Sequence, residues 1–271
     1  MKQKELFKEK YGPWALVAGG SDGLGEAYAE ALAKRGLNLV LIARVKERLE
    51  ATAVRLRKQY SVEVITLNAD LADFEKVKQL IIDLKVPINL LVYNAAYAPI
   101  GLFETIGEER LSLAAAVNVK APLLLVKLLS APMIQSHRGG IVLMSSLAGV
   151  QGSPKLATYA ATKAFNAILA EGLWKELKPH GIDVIGCCAG AILTPGYKQA
   201  SSSDGSAQVK SKTAPGTLPA REVAEQTLKA LGKGPLVIPG AMNKIARFAM
   251  ARLLPRKGAI GIMSKNTGDL S

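Results

Sequence analysis

Cysteine is nearly absent from this chain. Its 271 residues hold two, the adjacent pair Cys187 and Cys188. Neighbours of that kind make neither a structural staple nor a metal site. They read as buried core thiols, and a disulfide-built secreted scaffold is excluded. Histidine is as scarce: His137 and His180 fall in expected loops and match no metal spacing. Aromatic residues make up only 5% of the chain, and 22 acids face 35 bases. The opening MKQKELFKEK contains no apolar h-region, so no secretory signal is read there. The longest uncharged stretch, 86–103, contains Pro87, Asn89, Asn94, Pro99 and Gly101, a poor composition for a membrane-spanning helix. A cytoplasmic location is the default expectation.

What is present is a 49% hydrophobic fraction and a net charge of +13. The first excludes disorder and supplies a sizeable core. The second suits an anionic partner, such as a phosphorylated cofactor, a coenzyme A ester, nucleic acid or a membrane surface. Short apolar runs at 14–18, 37–43, 62–68, 88–93, 140–144 and 183–188 alternate with helical patterns at 26–35, 47–59, 73–84, 111–130 and 157–177. Near-continuous apolar strands separated by helices predict an α/β fold. Its form is a doubly wound, Rossmann-like parallel sheet covered on both faces. No linker divides the first 195 residues, so 1–271 reads as one domain. Residues 195–219 are rich in Ser, Gly, Lys and Thr and read as a substrate lid. A helix at 220–231, a last strand at 235–238 and a basic helical tail at 241–271 complete the expectation.

Between the first strand and first helix lies Ala18-Gly19-Gly20-Ser21-Asp22-Gly23-Leu24-Gly25. A diphosphate can approach the backbone N–H groups of such a turn at a positive helix end. A plain tight turn would use similar residues. The second strand ends in Ala43-Arg44, where NAD-preferring Rossmann folds place a carboxylate. A guanidinium there can hold a ribose 2′-phosphate by two hydrogen bonds, which favours NADP over NAD.

Tyr159 and Lys163 share a helix face at i, i+4 spacing. A phenol with a pKa near ~10 is a poor acid–base group at neutral pH. A neighbouring ammonium and an oxidised nicotinamide both favour its phenolate. Ser146 ends the fifth strand, and Asn118 lies within a helix, where a buried polar side chain needs a reason. Taken singly, each has a structural explanation, a strand-end cap and a helix kink respectively.

With these companions the chain resembles the short-chain dehydrogenase/reductase family over about 12–195, and more loosely to about 240. The family's T-G-x-x-x-G-x-G appears as Ala18 to Gly25, so the resemblance assigns Gly19, Ser21, Asp22, Gly23, Leu24 and Gly25 to the cofactor. Asp70 and Leu71 match its adenine contact, and Asn94, Ala95 and Ala96 its fourth-strand motif. Asn118, Ser146, Tyr159 and Lys163 match its catalytic tetrad. Ala189 to Thr194 match its P-G-x-x-x-T, which implies cofactor contacts from Ile192 and Thr194. Ala18, Tyr93, Ala96 and Ala189 depart from the family's residues, and Asp22 stands where many NADP-preferring members carry a base.

The resemblance implies reversible hydride transfer between a nicotinamide cofactor, NADPH in preference to NADH, and a carbonyl/alcohol pair. Tyr159 would be the general acid, with its pKa lowered by Lys163, which also binds the nicotinamide ribose. Ser146 would hydrogen-bond the carbonyl oxygen, and Asn118 would hold a water linking Lys163 to solvent. GGSDGLGEAYAEALAKRG is also similar to the 3-ketoacyl-CoA and 17β-hydroxysteroid reductase branch, which makes a 3-ketoacyl thioester or steroid-like ketone the expected substrate. Ala157, Ala160, Ala161 and Ala164 permit close helix contact, as in the family's dimers and tetramers, or plain internal packing.

The tail between 241 and 258 carries five bases and no acid, with Met242, Ile245, Phe248, Ala249 and Leu253 on a possible apolar face. It can pack on the core or a subunit neighbour, lie on a membrane, or bind coenzyme A or carrier-protein phosphates. A non-catalytic dinucleotide sensor on the same fold is the rival function. Nucleic-acid binding rests on charge alone and is not expected, because no recognition helix, RNA signature or zinc spacing accompanies it.

Overall fold

The apolar runs become the strands of one sheet because every residue of Trp14–Ala18 and Ile88–Tyr93 is buried, with both faces covered. The computed structural model describes residues 2–193 and 215–267. Seven strands are β1 (Trp14–Ala18), β2 (Asn38–Ala43), β3 (Val64–Asn68), β4 (Ile88–Tyr93), β5 (Gly139–Ser146), β6 (Ile182–Ala189) and, last in this sheet, β9 (Leu236–Val237). They lie in the order β3-β2-β1-β4-β5-β6-β9, all parallel. Val17 sits beside Leu41 on one flank and Val92 on the other. The chain reverses its direction of travel across the sheet between β1 and β4. In such sheets a crevice opens there, beyond the carboxyl ends of the strands.

Helices cover each face. On one side α2 (Gly23–Lys34), α3 (Lys46–Tyr60) and α8 (Ala220–Ala230) bury Tyr28, Leu32, Leu49, Leu56 and Leu228 against Val17 and Leu41. On the other, α4 (Phe74–Leu84), α6 (Ala121–Gln135) and α7 (Ala157–Leu177) bury Val77, Leu125, Leu129 and Ala170 against Leu16 and Leu91. Fully burying one such side chain stabilises by about 1.5–3 kcal/mol, so the two layers hold the sheet between them.

Two elements differ from expectation. The charged opening forms α1 (Lys2–Tyr11), which the sequence reading left unassigned. Its Tyr11 hydroxyl donates to Asp183 Oδ2 at 2.5 Å, and Arg35 lies 5.3 Å from the centre of the Phe7 ring. The helix expected at 111–130 is longer and broken. α5 (Glu108–Ala115) passes into α6 through a π-helical turn, Ala116–Lys120. Glu108–Gln135 is long and apolar enough to cross a membrane by length and composition, yet Leu125, Val126, Leu129 and Met133 pack into the core beneath the sheet.

After β6 the short strands β7 (Ile192–Leu193) and β8 (Leu218–Pro219) pair in parallel. The lid expected over 195–219 lies, apart from 215–219, outside the described residues. The tail forms α9 (Ala241–Phe248), a π-helical turn (Ala249–Leu253) and α10 (Arg256–Thr267). Buried Asn243 anchors it, donating to Gly216 O at 3.0 Å and Pro239 O at 2.9 Å.

Candidate active site

The glycine turn is built by backbone contact. Gly19 has φ +79°, and a Cβ there would meet Ala95 at 3.0 Å. A Cβ on Gly25 would stand 1.7 Å from the Gly19 carbonyl oxygen, so the first turn of α2 packs directly on the strand end. Asn94 Nδ2 donates to that oxygen at 3.2 Å, while the Asn94 and Ala95 N–H groups both donate to Ala18 O. Main chain and Asn94 therefore support the turn where Ala18 has no hydroxyl. Asp22 makes no capping bond to α2. The first-turn N–H groups of a 12-residue helix are thus left for an anion.

Around this turn opens a cleft of about 370 Å³. Gly19, Ser21, Arg44, Asp70, Leu71, Asn94, Ala95 and Ala96 all line it. Asn68 Nδ2 donates to the Ala43 and Arg44 carbonyls, fixing the chain from which the exposed Arg44 extends. Asp70 uses one carboxylate oxygen to accept from Ala72 N–H at 2.9 Å. A cradle that a single Cβ would fill, a helix N-terminus, a guanidinium and a carboxylate fit a dinucleotide phosphate. Asp22, Gly23, Leu24, Gly25 and Ile192 are not among the residues lining the cleft. The Leu24 side chain is buried in the core, Asp22 pairs with Arg48 at 3.0 Å, and Ile192 is half-buried in β7. Thr194 lies outside the described residues. Arg48 offsets the negative charge of Asp22 beside the turn.

β5 and α7 carry Ser146, Tyr159 and Lys163. Ser146 Oγ accepts from Ala148 N–H at 3.1 Å, at the strand end that faces the Tyr159 helix. Gly149 lets the turn after Ser146 sit against α7, since a Cβ there would lie 2.7 Å from Ala164 N. Lys163 is buried, donates from Nζ to Met144 O at 3.0 Å, and lies 5.5 Å from the Tyr159 ring centre.

Burial raises the Tyr159 pKa, the Ser146 hydroxyl opposing it, and lowers that of Lys163 to about 8. The Lys163 ammonium is engaged by a strand carbonyl, and burial outweighs any lowering of the phenol by it.

Asn118 is buried between the loop after β4 and α7. Its Oδ1 accepts from Tyr97 N–H at 2.8 Å, and its Nδ2 donates to Tyr97 O at 2.7 Å and Thr162 Oγ1 at 3.1 Å. Both amide hydrogens are used. The side chain clamps the loop to the helix. The backbone carbonyl of Asn118 accepts from Asn166 Nδ2 at 3.0 Å. Sequence reasoning missed Tyr97, Thr162 and Asn166. The signal for the last two was polar residues at i+3 and i+7 from Tyr159 on a helix that packs on the sheet.

Lys163 gives a stability prediction. Its ordinary value is 10.5 and its folded value about 8. Between these pH values the unfolded chain holds a proton that the folded one has released, so stability rises with pH across the window. Below pH 8 the buried charge carries its full cost, about 3 kcal/mol at 1.36 kcal/mol per unit. Lys163→Met should therefore raise the melting temperature of the cofactor-free protein at pH 7, with the gain shrinking as pH approaches 10.5. Equal melting temperatures at pH 7 would refute this.

A larger groove of about 950 Å³ lies among α1, α2, α3 and α8, beside Phe7, Tyr60 and the Arg35–Glu225 ion pair. It adjoins the amino ends of β2 and β3, away from Ser146 and Tyr159, and has no acid–base pair suited to this chemistry.

A family model described as short chain dehydrogenase matches residues 13–205. Hydroxysteroid dehydrogenase-like protein 1 of Gallus gallus is 31% identical, covering 91% of this chain and 73% of its own length. The very-long-chain 3-oxoacyl-CoA reductase of Podospora anserina is 37% identical over 65% of this chain, which spans about half of that relative (53%). A Mus musculus relative, 33% identical over 66% of this chain and 56% of its own, carries the name inactive hydroxysteroid dehydrogenase-like protein 1. Among solved structures, a 7β-hydroxysteroid dehydrogenase superposes with a TM-score of 0.87 at 26% identity, covering 95% of this chain and 98% of the other. An NADPH complex of a short-chain dehydrogenase from Sphingobium yanoikuyae gives a TM-score of 0.76 at 29% identity, with 96% of each chain covered. A match of this length, on a parallel sheet with this strand order, makes the chain a member of the short-chain dehydrogenase/reductase family, oxidoreductases that use NAD(P) to interconvert alcohols and carbonyls.

Proposed function

We propose that the protein is an NADPH-dependent reductase of a hydrophobic ketone, of the 3-ketoacyl thioester or steroid-like class. The observation that carries this is the convergence of Ser146, at the end of β5, with Tyr159 and Lys163 on α7, the Lys163 ammonium lying 5.5 Å from the Tyr159 ring centre. The names of the hydroxysteroid and 3-oxoacyl-CoA relatives support the substrate class. Arg44 at the cleft, the absence of a carboxylate at Ala43 and the Arg48 partner of Asp22 support the 2′-phosphate.

Gly19, the first turn of α2, Arg44 and Asp70 would hold the dinucleotide, and the bound nicotinamide would supply hydride to the carbonyl carbon. The chain's own residues handle the oxygen. Ser146 donates its O–H to the carbonyl oxygen, where negative charge grows. Tyr159 gives its phenolic proton to the same oxygen as the alkoxide forms. The Lys163 ammonium, charged below about pH 8, then faces the phenolate left behind and stabilises it.

Exposed Leu123 and Ile168 on α6 and α7 support a dimer or tetramer through those helices. The inactive-named mouse relative favours a second reading, a non-catalytic dinucleotide sensor. Turnover of any ketone removes it.

Titration of the purified chain with NADPH and NADH, followed by nicotinamide fluorescence, tests the cofactor assignment. NADPH should bind more tightly. Arg44→Ala should weaken it by about 10- to 100-fold, the worth of a charge-assisted hydrogen-bond pair, with little change for NADH. Equal losses for both cofactors would remove Arg44 from the 2′-phosphate.

A further inference from the structure

α9 is held by one side only. Asn243 faces inward and bonds Gly216 O and Pro239 O. The opposite face carries Met242, Ile245 and Phe248, at 56%, 69% and 59% exposure, and the turn that follows adds Leu253 at 67%. Spacing of three residues along a helix puts the first three on one stripe. Monomeric soluble proteins rarely leave so many large apolar side chains together in solvent.

Charge selects among occupants. Residues 241–258 hold no acid, and Lys244, Arg252, Arg256 and Lys257 are exposed there, while Arg247 turns its Nε inward. The whole chain is +13, so a second copy seated symmetrically on this face would set bases against bases. The complement must be apolar and anionic together, which describes acyl chains beneath acidic headgroups.

We propose that α9 and the turn after it dock the protein peripherally on an anionic lipid surface. Their position gives the contact a use. Arg256 Nη1 donates to Val150 O at 3.0 Å, and Gln151 Nε2 lies 3.5 Å from Met250 Sδ, so the segment packs on the turn that follows Ser146. The docked face adjoins the acid–base groups, at the end of the sheet where Leu102 and Phe103 are also exposed. A lipophilic substrate would then enter from the bilayer.

Co-sedimentation of the full chain with phosphatidylcholine vesicles, with and without phosphatidylglycerol, tests this. Binding should require phosphatidylglycerol and weaken with salt. The double variant Ile245→Glu/Phe248→Glu should lose about ten-fold or more of the bound fraction, since it puts acids where acyl chains would lie. Lys244→Gln/Arg252→Gln, which keeps the apolar stripe, should lose mainly the salt-dependent part. Absence of binding, or equal binding by wild type and the apolar variant, would overturn the proposal. So would a fall in mass of the apolar variant in sedimentation velocity, which would make the stripe a contact between copies. Turnover of a water-soluble ketone, read alongside, tests the reductase assignment independently.

Discussion

Tyr159→Phe should bind NADPH as the wild type does and reduce ketones about 10³-fold more slowly, within the 10²–10⁴ range of general acid catalysis. The substitution removes one oxygen and leaves the ring on which Lys163 rests, 5.5 Å from its centre. It also leaves the cleft at the glycine turn, to which Tyr159 contributes no lining atom. Burial keeps the phenol protonated at neutral pH, so what is lost is a proton already in place for delivery. Ser146 would still polarise the carbonyl, but the alkoxide would have to find its proton in water. Single-turnover rates at saturating NADPH would measure the loss, and fluorescence titration would show that the cofactor still binds. A variant within ten-fold of wild type would mean that another group delivers the proton.

Gly25→Ala should do the opposite, removing the cofactor before chemistry is reached. The new Cβ would stand 1.7 Å from Gly19 O and 2.7 Å from Asn94 Nδ2. A Cβ is fixed to the backbone, so no rotamer relieves the clash. The turn must open, which breaks the 3.2 Å bond from Asn94 and moves the first N–H groups of α2 away from a phosphate. We expect NADPH affinity to fall by about 10²-fold or more, from two or more lost charge-assisted bonds. A stability loss of about 2–4 kcal/mol should accompany it, as for other overpacked or strained sites. Gly172→Ala is the control. Nothing lies within 4 Å of a Cβ there, and it is mid-helix in α7, so it should gain up to about 1 kcal/mol in stability and bind cofactor normally. If Gly25→Ala bound NADPH like wild type, the phosphate would have to lie away from this turn.

The parts of the molecule that could be read in advance are those where the backbone or the solvent constrains residue type strongly. Strands buried on both faces must be apolar throughout, so all seven strands of the main sheet were expected within about two residues of where they lie. The turn demanded glycine at 19 and 25 for lack of space, and that demand is written locally. Long-range pairings left no such mark. The π-helical turn exists where the Asn118 side chain meets the Tyr97 backbone and the Tyr93 hydroxyl donates to Val117 O, 24 residues away. A helical pattern over 111–130 contains no sign of either contact. α1 is charged along most of its length, and its Tyr11 finds a partner 172 residues later. Charge placement was also hidden. Spacing put Lys163 beside Tyr159, but only the fold directs its ammonium to Met144 O. The apolar stripe of the tail was visible in sequence; which side of it the core would cover was not.

The anchoring of Asn243 has a consequence for how this scaffold can change. A Cβ at Gly190 or at Gly216 would collide with its side chain, and β7 pairs with β8, so the chain leaves and re-enters the body at two pinned points. The spacing of those points is set by the fold and does not depend on what connects them. Doubling the length of a connection between fixed ends costs only about 0.6 kcal/mol of closure entropy. Changing the number of residues that join Leu193 to Gly216 should therefore cost the fold little, so long as Gly216 itself is kept. The sheet, the glycine turn and the Tyr159 helix would stay as they are.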